Sequence, residues 1–312
     1  MRTRLLEIAS SGFTLLLALL LAAGSSGCSL KKMALRSVAD TLARSGDTFA
    51  SDEDPELVRD AVPFSLKLME SLLADVPEHR GLLLTACSSF TQYAYAFVQV
   101  DASLIAQDEF EKAEAMKLRA RQMYLRARDY CLRNLDVAYR GLQPHLTTDP
   151  AAAVKGIKEK DVPALYWTGA SWGAAVSLGL DRPDLIADLP AVRALLGRAI
   201  ELDEDYAQGA IHEAFIALDA LPEAMGGSPA RAREHFARAV ELSKHLSAGP
   251  YVSLATTVVV AEQNRAEFED LLKQALAIDP NKAPRLRLAN LIAQKRARYL
   301  LEHVDLFFAS ND

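Results

Sequence analysis

The chain has 312 residues and a formal charge of −6, from 35 Lys and Arg against 41 Asp and Glu, and it is 50% hydrophobic and 24% charged. That ratio is globular, so wholesale disorder is excluded, and the modest acidity argues against nucleic acid as a main partner. With 15 Gly, 13 Pro and abundant Ala, Leu, Arg and Glu, helix is favoured over strand.

Arg2 and Arg4 precede an apolar run from Phe13 to Ala23, followed by Gly24-Ser25-Ser26-Gly27 and then Cys28. This is the layout of a secretion signal. A run of about eleven residues spans roughly 17 Å as a helix, short of the about 30 Å hydrocarbon core of a bilayer. A Cys directly after small residues is similar to a bacterial lipobox, with Ser25 standing where Leu is usual. Acylated, Cys28 becomes the new N-terminus and the point of lipid attachment. Residues 1–27 are then a lipoprotein signal peptide, 28–33 a short tether and 34–312 one helical domain. The mature chain has 285 residues and a charge of −7. Ser29 after the Cys points, by resemblance to such lipoproteins, to the outer membrane, facing the periplasm.

Beyond the tether, nearly every segment has helical periodicity. In Glu56–Ala74 the apolar set Leu57, Ala61, Phe64, Leu68 and Leu72 follows steps of three and four. Leu82–Ile105 is apolar nearly all round and so central. Asp108–Arg140 is long and charged, with Met116, Met123, Leu125, Leu132 and Leu135 as its stripe. Gln143–Asp161, with Pro144, Pro150 and Gly156, is a connection holding a short helix at Pro150–Val154. Further helices are expected at Val162–Leu180, Leu189–Leu202, Asp205–Ala220, Pro229–Leu246, Tyr251–Ala261, Arg265–Ile278 and Arg285–Phe308. No alternating strand pair occurs; Thr256–Val260 is β-branched but isolated. Cys87 and Cys131 lie in helical patterns among apolar residues, which favours two buried thiols, while export keeps a disulfide chemically possible.

A repeat runs through these helices. Ala232-x₃-Phe236-x₂-Ala239, Leu272-x₂-Ala275 before Asp279-Pro280, and Leu196-x₂-Ala199 before Asp203 fit the second helix of a tetratricopeptide (TPR) hairpin. The three alanines are 40 and 36 residues apart, close to the TPR period of about 34. Fainter copies lie at Ala120-x₃-Tyr124-x₂-Ala127 and at Met69-x₂-Leu72. The expected fold is all-α: an irregular TPR-like helical-hairpin solenoid of about four hairpins with flanking helices.

Chemistry-bearing motifs are few. Tyr166, Trp167 and Trp172 share a helix with Gly169 and Gly173; a close helix neighbour explains the glycines, and an aromatic cleft wall is the alternative. His212-Glu213 lacks the second His of a zinc-protease helix, since Ile216 stands there, and His212 is kept as a cleft candidate. The turn Pro222–Pro229 is longer than the repeat needs, so Met225, Gly226 and Gly227, with Tyr251, are partner or pore-loop candidates. No phosphate loop, nucleophile elbow, carboxylate pair or metal spacing stands out, so an enzyme, a metal and a cofactor are not expected. Two basic stretches, Lys117–Arg128 and Lys282–Arg298, read as solvated faces or as docking surfaces for an acidic partner or lipid headgroups.

Several stretches, in order, resemble the TatT lipoproteins, TPR-like companions of tripartite ATP-independent periplasmic (TRAP) transporters. They are Asp161–Ala174, Gly209–Phe215, Met225–Phe236, Pro250–Leu254 and Ala289–Arg298. The resemblance implies a non-enzymatic, lipid-anchored periplasmic protein that binds the TRAP substrate-binding protein. It also implies a homo-oligomer, a trimer in the best-known case, with a pore or cleft that passes a small or apolar ligand. An envelope scaffold without a ligand is the alternative function.

Overall fold

A computed structural model of the chain describes residue 33, residues 35–42 and residues 46–309; the leader, Cys28 and the tether up to residue 32 lie outside the described residues. Among the described residues every regular element is helical and none is a strand. After a helical turn at Gly46–Ala50 come α1 (Pro55–Asp75) and α2 (Arg80–Ala94), which continues through a π-helical segment, Tyr95–Gln99, into α3 (Val100–Ile105). Next are α4 (Phe110–Ala138), the connecting helices α5 (Leu142–Thr148) and α6 (Pro150–Val154), then α7 (Val162–Ser177), α8 (Pro183–Ile186) and α9 (Leu189–Leu202). The chain ends with α10 (Ala210–Asp219), α11 (Pro229–Leu242), α12 (Gly249–Leu254) with a second π segment at Ala255–Val259, α13 (Arg265–Ala277) and α14 (Arg287–Glu302).

Local sequence sets these boundaries. Asp54 accepts from the amides of Glu56 and Leu57 at 3.0 and 3.1 Å, with Pro55 as the first helical residue of α1. His79 Nδ1 accepts from Leu82 N at 3.1 Å and starts α2. Asn264 caps α13 through Glu267 N at 3.2 Å, and Ser228 with Pro229 opens α11. The β-branched run that includes Thr256–Val259 is not a strand but the wide π turn of an inner helix. Such turns insert one residue into a helix and recur at functional sites.

The helices alternate between an inner circuit and an outer layer. Helices α2, α7, α10, α12 and α14 are successive neighbours, while α4 packs on α2 and α7, α9 on α7 and α10, α11 on α10 and α12, and α13 on α12 and α14. The circuit closes because α14 returns to the start of the chain. Its Ile292 is buried in the same N-terminal core as Val58, Phe97 and Val100. Arg287 Nη1 donates to Ser51 O at 2.9 Å, and Lys295 Nζ lies 3.5 Å from Asp101, which also pairs with Arg59. The repeat residues Leu196, Ala199, Ala232, Ala239, Leu272 and Ala275 are all buried between helices.

Two expectations are corrected. Helix α1 presents Val58, Val62, Leu66, Met69, Leu72 and Leu73 to the core, whereas Leu57 is 59% and Phe64 73% exposed. Both stripes have helical spacing, and the face with more apolar bulk is the one buried. Cys87 of α2 and Cys131 of α4 form a disulfide, with a Cα–Cα distance of 5.5 Å across 44 residues. By the chain-entropy relation a loop of that size stabilises the folded state by about 4 kcal/mol.

Candidate functional site

Residues five apart on an α-helix point about 140° away from each other. Trp167 and Trp172 therefore face different ways, and the structure separates them. Trp172 is buried, donates from Nε1 to Asp188 Oδ2 at 2.9 Å, and lies under the Arg128 guanidinium, 5.1 Å from the ring centroid. Gly169 and Gly173 lie against Leu196 and Val192 of α9, so they serve a close helix approach. Tyr166 and Trp167 remain half-buried.

Tyr206 joins these two rings. The centroids of Tyr166 and Trp167 are 4.8 Å apart, those of Tyr166 and Tyr206 5.3 Å, and the Trp167 indole N–H faces the Tyr206 hydroxyl. Tyr206 is delivered by an unusual turn: Ala207, Gln208 and Gly209 have φ of 47°, 58° and 89°, three consecutive left-handed residues ahead of α10. Holding a non-glycine residue there costs on the order of 1–3 kcal/mol, a strain that clusters at ligand sites. The turn also delays the helix expected from Asp205, which begins at Ala210.

The first turn of α10 carries Glu213 beside these rings. Burial alone raises its carboxyl from 4.5 to about 7, and it has no hydrogen-bonding or ion-pairing partner among the described residues. Its charge acts on Tyr166, whose hydroxyl burial also pushes well above the usual range, and burial raises Tyr206 to about 12. A methyl group added at Gly249, the first residue of α12, would collide with the Glu213 carboxylate. Glu213, Tyr166, Trp167 and Tyr206 are all half-buried and keep some access to solvent. Sequence reasoning passed over Glu213 and Tyr206. The available signal was a lone carboxyl on the small-residue face Ala210, Glu213, Ala214, Ala217.

His212 belongs to the other face of α10. Its Nδ1 lies 2.7 Å from His235 Nδ1 of α11 and its Nε2 3.2 Å from Glu204, while Arg238 holds Glu204 from Nε at 2.8 Å. His235 stacks on Phe215 at 4.7 Å. Burial depresses both histidines, against the pull of Glu204 on one and Asp219 on the other, and Arg238 holds Glu204 down at about 2. Asp219, 1% exposed, accepts from Arg193 Nη1 at 2.7 Å and from Arg231 at 3.2 and 3.3 Å.

The same network fixes the Pro222–Pro229 turn. Arg231 Nη2 donates to Gly226 O at 2.6 Å, Ser228 N to Asp219 O at 2.7 Å, and Met225 packs on the central core. Gly226 has φ 80°, and Gly227 lies so close to the Leu221 carbonyl that no side chain fits. Tyr251 is buried against Phe236, 5.4 Å between centroids, at a surface recess of about 250 Å³ with His245 and Lys282. Part of each basic stretch is spent on ties between elements: Arg126 pairs with Glu70 at 2.5 Å, Arg121 donates to Leu178 O at 3.1 Å, and Lys295 and Arg287 close the circuit. Among the described residues no group of three His, Cys, Asp or Glu side chains is placed to hold a metal ion, and no helix is long and apolar enough to cross a membrane.

Comparison with known proteins gives two findings. The model of the family described as TAtT, TRAP transporter T-component, matches residues 51–308. A protein of Treponema pallidum (strain Nichols), described as uncharacterized, is 32% identical over 304 residues, covering 90% of this chain and 93% of that protein.

Proposed function

Because the chain belongs to the TRAP transporter T-component family, we propose that it works as the TPR-like helical partner of a TRAP substrate-binding protein and passes a small ligand through its closed helical circuit. The observation that carries this reading is the cluster of Tyr166, Trp167, Tyr206 and Glu213, half-buried rings beside one unpaired carboxyl. Solvent-accessible rings around a single polar group suit a ligand site better than a packing core, where such a carboxyl is a net cost. Trp172 and His212 are taken up in the framework, and Met225, Gly226, Gly227 and Tyr251 are the candidates for the rim that meets the partner. The Cys87–Cys131 disulfide supports an oxidising compartment, in line with a periplasmic protein anchored through Cys28, at the outer membrane by the Ser29 signal.

On a sizing column at low salt, the protein and the binding protein encoded beside it should elute together, at a mass set by a trimer of this chain. Separate elution at every salt concentration removes the partner role. A Cys28→Ala form should leave the membrane fraction; retention there would refute the lipid anchor.

A further inference from the structure

The chemistry of this cluster points to a class of ligand, an inference that rests on the ligand-passing role proposed above. Three aromatic rings meet at one place: Trp167 edge-on to Tyr166, Tyr166 tilted against Tyr206, and the Trp167 indole N–H at the Tyr206 hydroxyl. Beside them stands a carboxyl with no hydrogen bond and no ion pair. The charged groups on neighbouring elements are committed elsewhere: Arg193 and Arg231 to Asp219, Arg238 to Glu204 and Glu241, and His212 and His235 to each other on the far face of α10. The group that feels the Glu213 charge is Tyr166 from α7, with Tyr206 from the left-handed turn packed against it, both protonated throughout the neutral range.

Different ligands would meet this cluster differently. A neutral apolar ligand would leave Glu213 enclosed and unsatisfied, at a cost. An anion would meet a carboxyl and the electron-rich π systems of the rings, both repulsive. A cation is drawn to the rings and supplies the counter-charge that the protein withholds. We infer that Tyr166, Trp167, Tyr206 and Glu213 form a recognition box for a small organic cation, a quaternary or protonated amine, inside the helical circuit. Gly249 is a positioning residue, because the absence of a side chain there lets the Glu213 carboxylate sit where it does.

Choline is a suitable probe because its charge does not titrate, so any pH dependence reports on the protein. Calorimetry on the full chain in detergent would compare choline with its neutral isostere 3,3-dimethylbutanol and with the anion 3,3-dimethylbutyrate. Choline should bind most tightly. With Glu213 at about 7, its ionised fraction rises about tenfold from pH 6 to pH 8, and choline affinity should rise by about the same factor. Glu213→Gln should abolish that dependence and weaken choline at least about tenfold at pH 8, with Tyr166→Ala close behind. Gly249→Ala should weaken choline while leaving the thermal midpoint nearly unchanged, which separates displacement of the carboxylate from loss of fold.

Equal or tighter binding of the neutral or anionic isostere overturns the inference, as does choline affinity untouched by Glu213→Gln, or no binding of any probe. Co-elution with the binding protein is measured separately. If it persists when choline fails, the ligand class falls and the partner role stands; if it is lost while choline binds, the reverse holds.

Discussion

Helix α10 carries two enclosed carboxyls six residues apart, and the protein treats them in opposite ways. Asp219 is 1% exposed and held by Arg193 and Arg231, with His235 Nε2 3.7 Å away. Glu213, on a different face of the same helix, has no partner and is held near neutrality by burial. A buried charge with several donors ties helices together, whereas one left without them is a cost that folding does not require. The Asp219 face of α10 is therefore framework, whereas Glu213 adds nothing to the ties between helices.

Removing each carboxyl should give changes of opposite sign. Asp219→Ala leaves Arg193 and Arg231 facing each other without a counter-charge. Urea unfolding should show a loss of about 3 kcal/mol, the low end for a broken buried pair because both guanidinium groups keep some access to water. A loss below about 1 kcal/mol would erase the contrast.

Glu213→Gln should instead stabilise the protein at pH 8. A carboxyl raised from 4.5 to about 7 penalises the folded state once pH exceeds the unfolded value, and the penalty is complete above the folded value. The expected gain is about 2 kcal/mol, below the roughly 3 kcal/mol of the full displacement because the side chain is partly solvated, and it should vanish near pH 4.5. A stability loss at pH 8 would mean that Glu213 has a framework partner after all.

The histidine pair sharpens the contrast at acid pH. Both histidines are depressed below 6.5 in the folded protein, so their contribution is present above that pH and is lost as pH falls below it. The unfolding free energy from urea titrations should drop between pH 6.5 and 5, by at most about 1.4 kcal/mol per pH unit for each histidine, and the drop should shrink in His235→Asn.

Much of this architecture can be read from the residues, because Ala- and Leu-rich periodicity with capping residues such as Asp54, Ser228 and Asn264 leaves little choice but helix. What escapes is anything that depends on which helix faces which. Leu57 and Phe64 match the helical period as well as Val58 and Leu66 do, and only the neighbour decides between them. Cys87 and Cys131 are apolar-looking until α2 and α4 are placed side by side. Tyr166 and Trp167 were recognisable as unusual, but grouping them with Trp172 ignored the rotation between positions five apart. Glu213 was seen only as half of a failed metal motif, since a carboxyl without a partner becomes apparent only when its surroundings are known. The left-handed Ala207 and Gln208 have no residue signature, because glycine, the usual marker, stands only at the third position.

The contact of α14 with the beginning of the chain changes how such an array comes apart. A linear stack of hairpins is weakest at its two ends, which fray independently and leave the middle intact. Here the last helix is wedged between its own hairpin partner and residues laid down some two hundred positions earlier, through Ile292, Lys295 and Arg287. A helix made late in synthesis thus completes the first core. Loss of the C-terminal helix is no trimming of an edge; it uncovers apolar surface at both ends of the chain at once.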